Sequence, residues 1–165
     1  MRAAAVFVVS AALLSGCASA ASGSSAPADR PMPVALLDPC ALIQPSDLAG
    51  HGAFKAQERY EVDDARICSY SRDGASGFEQ RFMVSVGIRD DQNADSVQER
   101  GRGRTLGNVN GRKTVKVPST AFDCLLVVAI DEKSRADILI LGTGMDSCAL
   151  AEQLADVVEP RLPKR

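Results

Sequence analysis

The side chains with the most chemical potential in this chain are its five cysteines, Cys17, Cys40, Cys68, Cys124 and Cys148. A thiol can carry an acyl chain, pair as a disulfide or bind a metal. Cys17 closes an apolar N-terminal run, which separates it from the other four. Those four lack the CxxC and HxxxH spacings of zinc sites, so their even number indicates two disulfides and no metal.

Four cysteines allow three pairings. The spacing favours Cys40–Cys68 and Cys124–Cys148, because each bond joins neighbours along the chain and closes one half of it independently. Disulfides persist in oxidising compartments, so this pattern predicts a domain outside the cytosol.

The N-terminal segment has the pattern of an export signal. Met1-Arg2 precedes residues 3–14, an apolar run interrupted only by Ser10, which is too short to cross a hydrocarbon core of ~30 Å. Its end, Leu14-Ser15-Gly16-Cys17, resembles the lipobox of bacterial lipoproteins. The resemblance implies a lipoprotein signal peptide at residues 1–16 and a diacylglyceryl group on Cys17. The alternative is an ordinary secretory signal that is cut after Cys17, near residues 18–20.

Composition then divides the remaining chain. Residues 17–34 are rich in Ala, Ser, Gly and Pro and predict a flexible, lipidated tether. Residues 35–165 predict a single disulfide-bonded globular domain. The 19 basic residues are balanced by 21 acidic ones, giving a net charge of −2, which argues against nucleic-acid binding.

Hydrophobic periodicity predicts an α+β domain: a mainly antiparallel sheet of about five strands, short N-terminal helical turns and a C-terminal helix packed on the sheet. We expect the last two strands to lie mid-sheet, since they are apolar on both faces. The predicted elements are helical turns at 38–43 and 45–49, strands at 66–71 and 81–89, a short helix at 94–100, a turn at Asn110-Gly111, strands at 113–117, 124–130 and 138–141, and a helix capped by Asp146 or Ser147 that carries Leu150, Leu154, Val157 and Val158.

Several of these residues also carry a family resemblance. They are Asp38-Pro39-Cys40-Ala41-Leu42, Cys68-Ser69-Tyr70, Cys124 in an apolar strand, and the run Asp146-Ser147-Cys148-Ala149-Leu150-Ala151. This order, behind a lipobox, resembles the actinobacterial lipoproteins of the domain-of-unknown-function 3558 family over residues 36–163. Tyr70 stands where that pattern has Trp. The resemblance implies a disulfide-bonded cell-envelope domain and no particular activity.

The best candidate for a contact with an anion or partner is the group Arg100, Arg102 and Arg104, interleaved with glycines. It lacks the Lys-Ser/Thr ending of a phosphate-binding loop, and a solvated loop is the alternative. His51 is the only histidine and lies between two glycines, where we expect a helix to end. The pair Asp63-Asp64 is best explained as a polar turn. We predict no catalytic residues and no cofactor.

Two functions fit these observations. The first is a non-enzymatic, lipid-anchored binding or accessory lipoprotein on the outer face of the cell membrane, held there by its N-terminal lipid. The alternative is a carrier or sensor of a small apolar or lipidic envelope ligand, held in a pocket between sheet and helix.

Overall fold

The computed structural model describes residues 32–73, 82–119, 123–142 and 145–165. Its seven strands are β1 (Glu58–Val62), β2 (Ala65–Ser71), β3 (Phe82–Arg89), β4 (Thr105–Val109), β5 (Arg112–Pro118), β6 (Asp123–Ala129) and β7 (Arg135–Gly142). One α-helix, α1, spans Ser147–Val158. Short 3-10 turns occur at Val34–Leu36, Pro39–Ala41, Pro45–His51, Ala94–Ser96 and Glu159–Arg161.

All seven strands form one antiparallel sheet in the order β1-β2-β3-β7-β6-β5-β4. The α+β class is confirmed, but the expected strand number of about five was wrong, because β1 and β4 were missed. All five residues of β1 and four of the five in β4 are exposed. A strand whose two faces are both exposed to solvent need not alternate apolar and polar residues, so its sequence does not reveal it.

Two-residue turns connect each of these edge strands to its neighbour. Asn110 and Gly111 have φ values of 47° and 87°, which confirms the predicted tight turn between β4 and β5. Asp63 and Asp64 make the corresponding turn between β1 and β2, with φ values of 47° and 65°. The acidic pair is thus a hairpin turn, as the sequence indicated.

The core lies between the sheet and the elements on one of its faces. β7 is the central strand with β6 beside it, as predicted, and α1 packs across both. Asp146 caps the helix by accepting hydrogen bonds from the backbone N–H groups of Cys148 and Ala149. The largest fully buried side chains on this face include Leu42, Ile43, Tyr70, Val84, Val86, Ile138 and Ile140.

The predicted helix at 94–100 is only a 3-10 turn, Ala94–Ser96. Asn93 caps it, accepting from the Ser96 N–H at 3.0 Å, and Val97 is already extended with ψ of 129°. Ala94 and Val97 are buried with Val115, Val117 and other residues of β5 and β6 in a smaller cluster. The burial of Val97 in this cluster stabilises the extended backbone more than the continuation of a weakly amphipathic helix would.

The two disulfides are Cys40–Cys68 and Cys124–Cys148, the pairs that the spacing favours. The first joins the Pro39–Ala41 turn to β2, and the second joins β6 to the first turn of α1. Across the described ranges, no helix has the length and apolarity needed to span a membrane.

Candidate functional site

The three candidate arginines precede β4, and the structure separates them by environment. Arg104 Nη1 donates to the backbone oxygens of Asp95 at 3.1 Å and Val97 at 3.4 Å, so this side chain holds the loop in place. Arg100 and Arg102 are exposed and have no partner within the described ranges. Of the three, these two are therefore available to an outside anion or partner.

The strand that follows them is an open edge of the sheet. Val109 and Arg112 flank a two-residue turn, so they form a hydrogen-bonded pair. Hydrogen-bonded and non-hydrogen-bonded pairs alternate along an antiparallel ladder, so Gly107 and Thr105 are also hydrogen-bonded to β5. The N–H and C=O groups of Leu106 and Asn108 consequently point away from β5. The sheet order ends at β4 for the part of the chain that the structure describes.

The side chains of β4 leave this edge unprotected. The strand reads Thr-Leu-Gly-Asn-Val, without a charge or a proline, and 60% of Leu106 is exposed. Natural proteins usually blunt a sheet edge with charged residues or proline. Gly107 has a local reason to be glycine, since a Cβ there would lie 2.8 Å from Thr114 Oγ1.

A groove of about 250 Å³ lies beside this strand, bounded by β4, β5, β6 and α1. Its apolar lining comes from Leu106, Val109, Leu126 and Ala155. Lys116 Nζ contacts Glu152 Oε1 at 2.7 Å at one end, and Asp156 lies on the same helix face one turn later. We call Arg100, Arg102, the β4 strand and this groove the β4 edge surface.

Other charged clusters in the described ranges serve to join elements. Arg112, with 4% of its side chain exposed, donates from Nη1 to the Ile130 carbonyl at 2.8 Å and from Nε to Glu159 at 2.9 Å. Arg89 Nε donates to Asp137 at 2.9 Å, and Arg135 Nε lies 2.9 Å from the other oxygen of that carboxylate. Their burial and pairing indicate structural roles.

Two further charged contacts hold residues 34–51, the N-terminal segment of the folded domain, against the rest of the domain. Asp47 accepts hydrogen bonds from the two Nη atoms of Arg161, at 2.5 and 3.1 Å, and from the Gln44 N–H at 2.7 Å. These hydrogen bonds, above all those from Arg161, hold the pKa of Asp47 below its ordinary value. The pKa of Asp38 is lowered chiefly by its hydrogen bond from Arg59, at 2.6 Å.

Tyr70, two residues after Cys68 in β2, stands where the resemblance leads us to expect Trp. It is fully buried, and its hydroxyl donates to the Ile43 carbonyl at 2.5 Å, which supplies the partner that a buried tyrosine needs. Burial raises the pKa of the Tyr70 hydroxyl, so the group stays a protonated donor.

The remaining sequence candidates do not converge. His51 is half-buried at the end of a 3-10 turn, and its carbonyl accepts from Arg72 at 2.9 Å. Asp90, which follows β3 and was not a sequence candidate, pairs with Arg66 at 2.9 Å. Within the described ranges no group of three or more His, Cys, Asp or Glu side chains could hold a metal ion. Cys17 lies outside these ranges, so its lipidation stays a prediction.

Comparison with known proteins places the chain in a family. The model of DUF3558, a family of proteins of unknown function, matches residues 12–161. The chain belongs to this family. Curated proteins and solved structures gave no match. The family match thus extends from the apolar N-terminal run of this DUF3558 protein through α1 to Arg161.

Sequence reasoning missed Leu106, Gly107 and Asn108 as part of the site of this DUF3558 domain. A signal for them was present, because a tight turn at Asn110-Gly111 followed by an alternating strand requires a partner strand before the turn. The exposed edge itself could not be inferred, since it depends on which strands flank β5 in space.

Proposed function

We propose that this DUF3558 protein is a lipid-anchored, extracytoplasmic binding or accessory lipoprotein of the actinobacterial type that engages other envelope components through the β4 edge surface. The observation that carries the proposal is the uncharged β4 edge, which lies beside a groove and follows two arginines; within the described ranges the edge is open and these arginines have no partner. The opposite edge strand, β1, carries three charged residues in five. Of the two edges of the sheet that the structure describes, β4 is therefore the one suited to pairing with another chain.

Two features support the location. The disulfides are bonds of an oxidising compartment, and Cys17 follows a lipobox-like sequence. Dual acylation anchors a protein stably where one chain gives only marginal binding. The Cys17→Ser variant should move from the membrane fraction to the soluble envelope fraction, with the Cys40→Ser/Cys68→Ser variant as a membrane-retained control. Full retention of Cys17→Ser would contradict the lipid anchor.

The binding role is tested by photocrosslinking in intact cells. A benzoylphenylalanine at position 106 should crosslink to an envelope component. The same group at position 60, on the β1 edge where 40% of Tyr60 is exposed, should not. Equal crosslinking from both positions, or none from position 106, would contradict docking at the β4 edge surface.

A carrier of a small apolar ligand is the second candidate, and the groove is the feature that favours it. Leu126 and Ala155 are apolar, but Lys116, Glu152 and Asp156 line the same space, and about 250 Å³ is below the ~300–1,000 Å³ of typical ligand pockets. A fatty acid or phospholipid that raises the unfolding temperature of wild-type protein, but not of Ala155→Trp, would favour the carrier role.

A further inference from the structure

Building on the proposed function, we infer that the β4 edge surface binds an extended segment of a partner protein as an eighth, antiparallel strand. The acidic side chains of this segment lie at its C-terminal end, beside Arg100 and Arg102. Addition of a strand to a sheet edge is a general mode of peptide recognition, in which backbone groups supply affinity and alternate side chains supply specificity.

The backbone of β4 sets the size of the segment. Leu106 and Asn108 each present an outward N–H and an outward C=O, so an antiparallel strand can make four hydrogen bonds with them. A segment opposite all five residues of β4 is about 17 Å long at ~3.4 Å per residue.

The groove selects the side chains of the segment. The partner residue opposite Gly107 projects toward the α1 side of the sheet, where Gly107 itself occupies no side-chain space. Because Gly107 has no side chain, the space between that partner residue and Thr114, the cross-strand neighbour of Gly107 on the same face, is open. A β-branched or aliphatic residue therefore fits this position, and its neighbours on either side face away from the groove.

Charge sets the direction of the segment. Arg100 and Arg102 lie before the first residue of β4, whereas Asp156 lies farther along α1, past the Lys116–Glu152 pair that faces Thr105. Lys113 and Arg112, opposite the last two residues of β4, are already paired with Asp95 and Glu159. The charge left for a partner within the described ranges is therefore positive before β4, at Arg100 and Arg102, and negative at Asp156. An antiparallel segment that begins with a basic residue and ends with acidic ones is complementary at both ends.

The same charges disfavour a second copy of this chain as the occupant. Two β4 strands could pair antiparallel about Gly107, but the sequence Thr-Leu-Gly-Asn-Val has no acidic residue to offer. Arg100 and Arg102 of both copies would be left without a counter-charge from the added strand. A partner segment with its own carboxylates satisfies them.

The test uses the lipidated full chain in detergent micelles and the peptide acetyl-Lys-Val-Thr-Val-Thr-Asp-Glu-amide, titrated by calorimetry. In the inferred register the threonines face Leu106 and Asn108, and the valines face the groove. N-methylation of both threonines should abolish binding, and N-methylation of both valines should preserve it. The peptide with reversed sequence should bind at least ~10-fold more weakly, as should the peptide whose acids are replaced by Asn and Gln.

Matched protein variants test the same surface from the other side. Leu106→Pro removes an outward N–H without removing a bond to β5, and should weaken binding at least ~10-fold, whereas Leu106→Ala should change it less than ~3-fold. Glu61→Pro is the control, because the Glu61 N–H also points outward, but from β1. Arg100→Gln/Arg102→Gln should weaken binding about 10-fold and flatten its salt dependence.

The outcomes separate the inference from the function on which it rests. Absence of peptide binding, equal binding of the reversed peptide, or equal effects of Leu106→Pro and Glu61→Pro would overturn strand addition. Crosslinking from position 106 in cells would still support the proposed function in those cases. Dimerisation in sedimentation experiments that Leu106→Pro abolishes would overturn the partner-segment inference in favour of a second copy.

Discussion

The two edges of the sheet differ in how they are held. The β1 side is bound to the N-terminal segment by a disulfide at Cys68 and by hydrogen bonds from Arg66 to the Val34 and Leu37 carbonyls. On the β4 side, exposed Lys–carboxylate pairs such as Lys116–Glu152 are added to the ladder with β5. The disulfide and the Arg66 hydrogen bonds thus join the charged edge to residues 34–40, whereas the buried Arg112–Glu159 pair holds β5 and leaves β4, the uncharged edge, accessible.

The largest expected effect comes from removing the covalent bond at the β1 side. The Cys40→Ala/Cys68→Ala variant should lose about 3.5 kcal/mol of unfolding free energy, because a loop with a sequence separation of 28 is no longer closed in the unfolded chain. Urea unfolding measures this loss. If the disulfide holds the β1 edge, amide hydrogen exchange in the variant should become faster in β1 and β2 by a larger factor than in β4. Uniform acceleration would contradict the comparison.

An intermediate effect is expected at the ionic contact of the N-terminal segment. Asp47→Asn should cost about 1–2 kcal/mol at pH 7, since the side chain of Asp47 is only 15% exposed and Arg161 loses a charged partner. The pKa of Asp47 is lowered in the folded state, so its stabilisation is complete above the ordinary value of 3.8 and is lost as pH falls through the lowered pKa. Stability curves of wild type and variant should therefore converge in acid, and a constant gap down to pH 2 would refute the assignment.

A smaller effect at the β4 side tests its packing. Gly107→Ala should destabilise the domain by about 1 kcal/mol, because the new Cβ would lie 2.8 Å from Thr114 Oγ1. Thr114→Ala removes that atom, so Gly107→Ala should cost much less unfolding free energy in the Thr114→Ala background than in wild type. Thermal unfolding of all four proteins provides the cycle, and additive losses would show that the contact is not the cause.

The smallest effect should come from the exposed ion pair beside the groove. Lys116→Ala should change the unfolding free energy by no more than about 0.5 kcal/mol, since Lys116 and Glu152 are 31% and 54% exposed. Arg59→Ala, which breaks the exposed pair between Arg59 of β1 and Asp38, is the reference. A loss above ~1.5 kcal/mol for Lys116→Ala would show that the β4 side is held more firmly than its contacts indicate.

Sequence reasoning recovered the elements that bury an apolar face and missed those that do not. The alternation at Val84 and Val86, and the continuous apolar runs of β6 and β7, report burial directly, and the disulfide partners follow from spacing. Glu58–Val62 and Thr105–Val109 are exposed strands, so no periodicity marks them. The predicted strands at 124–130 and 138–141 leave Arg135 between them, whereas β7 begins at Arg135. Its burial depends on Ser96, a contact distant in sequence, and on Asp137, so periodicity does not reveal it.

The strand order also constrains how the chain assembles. β1, β2 and β3 are successive hairpin neighbours, as are β4 to β7, but β3 pairs with β7 across a long stretch of intervening sequence, for example Val86 with Ile138. Closing so long a loop is entropically costly, so we expect this central ladder to form last, after each disulfide has closed within its own half. Pulse-labelled hydrogen exchange during refolding should then show the amides that join β3 to β7 gaining protection later than those of either hairpin.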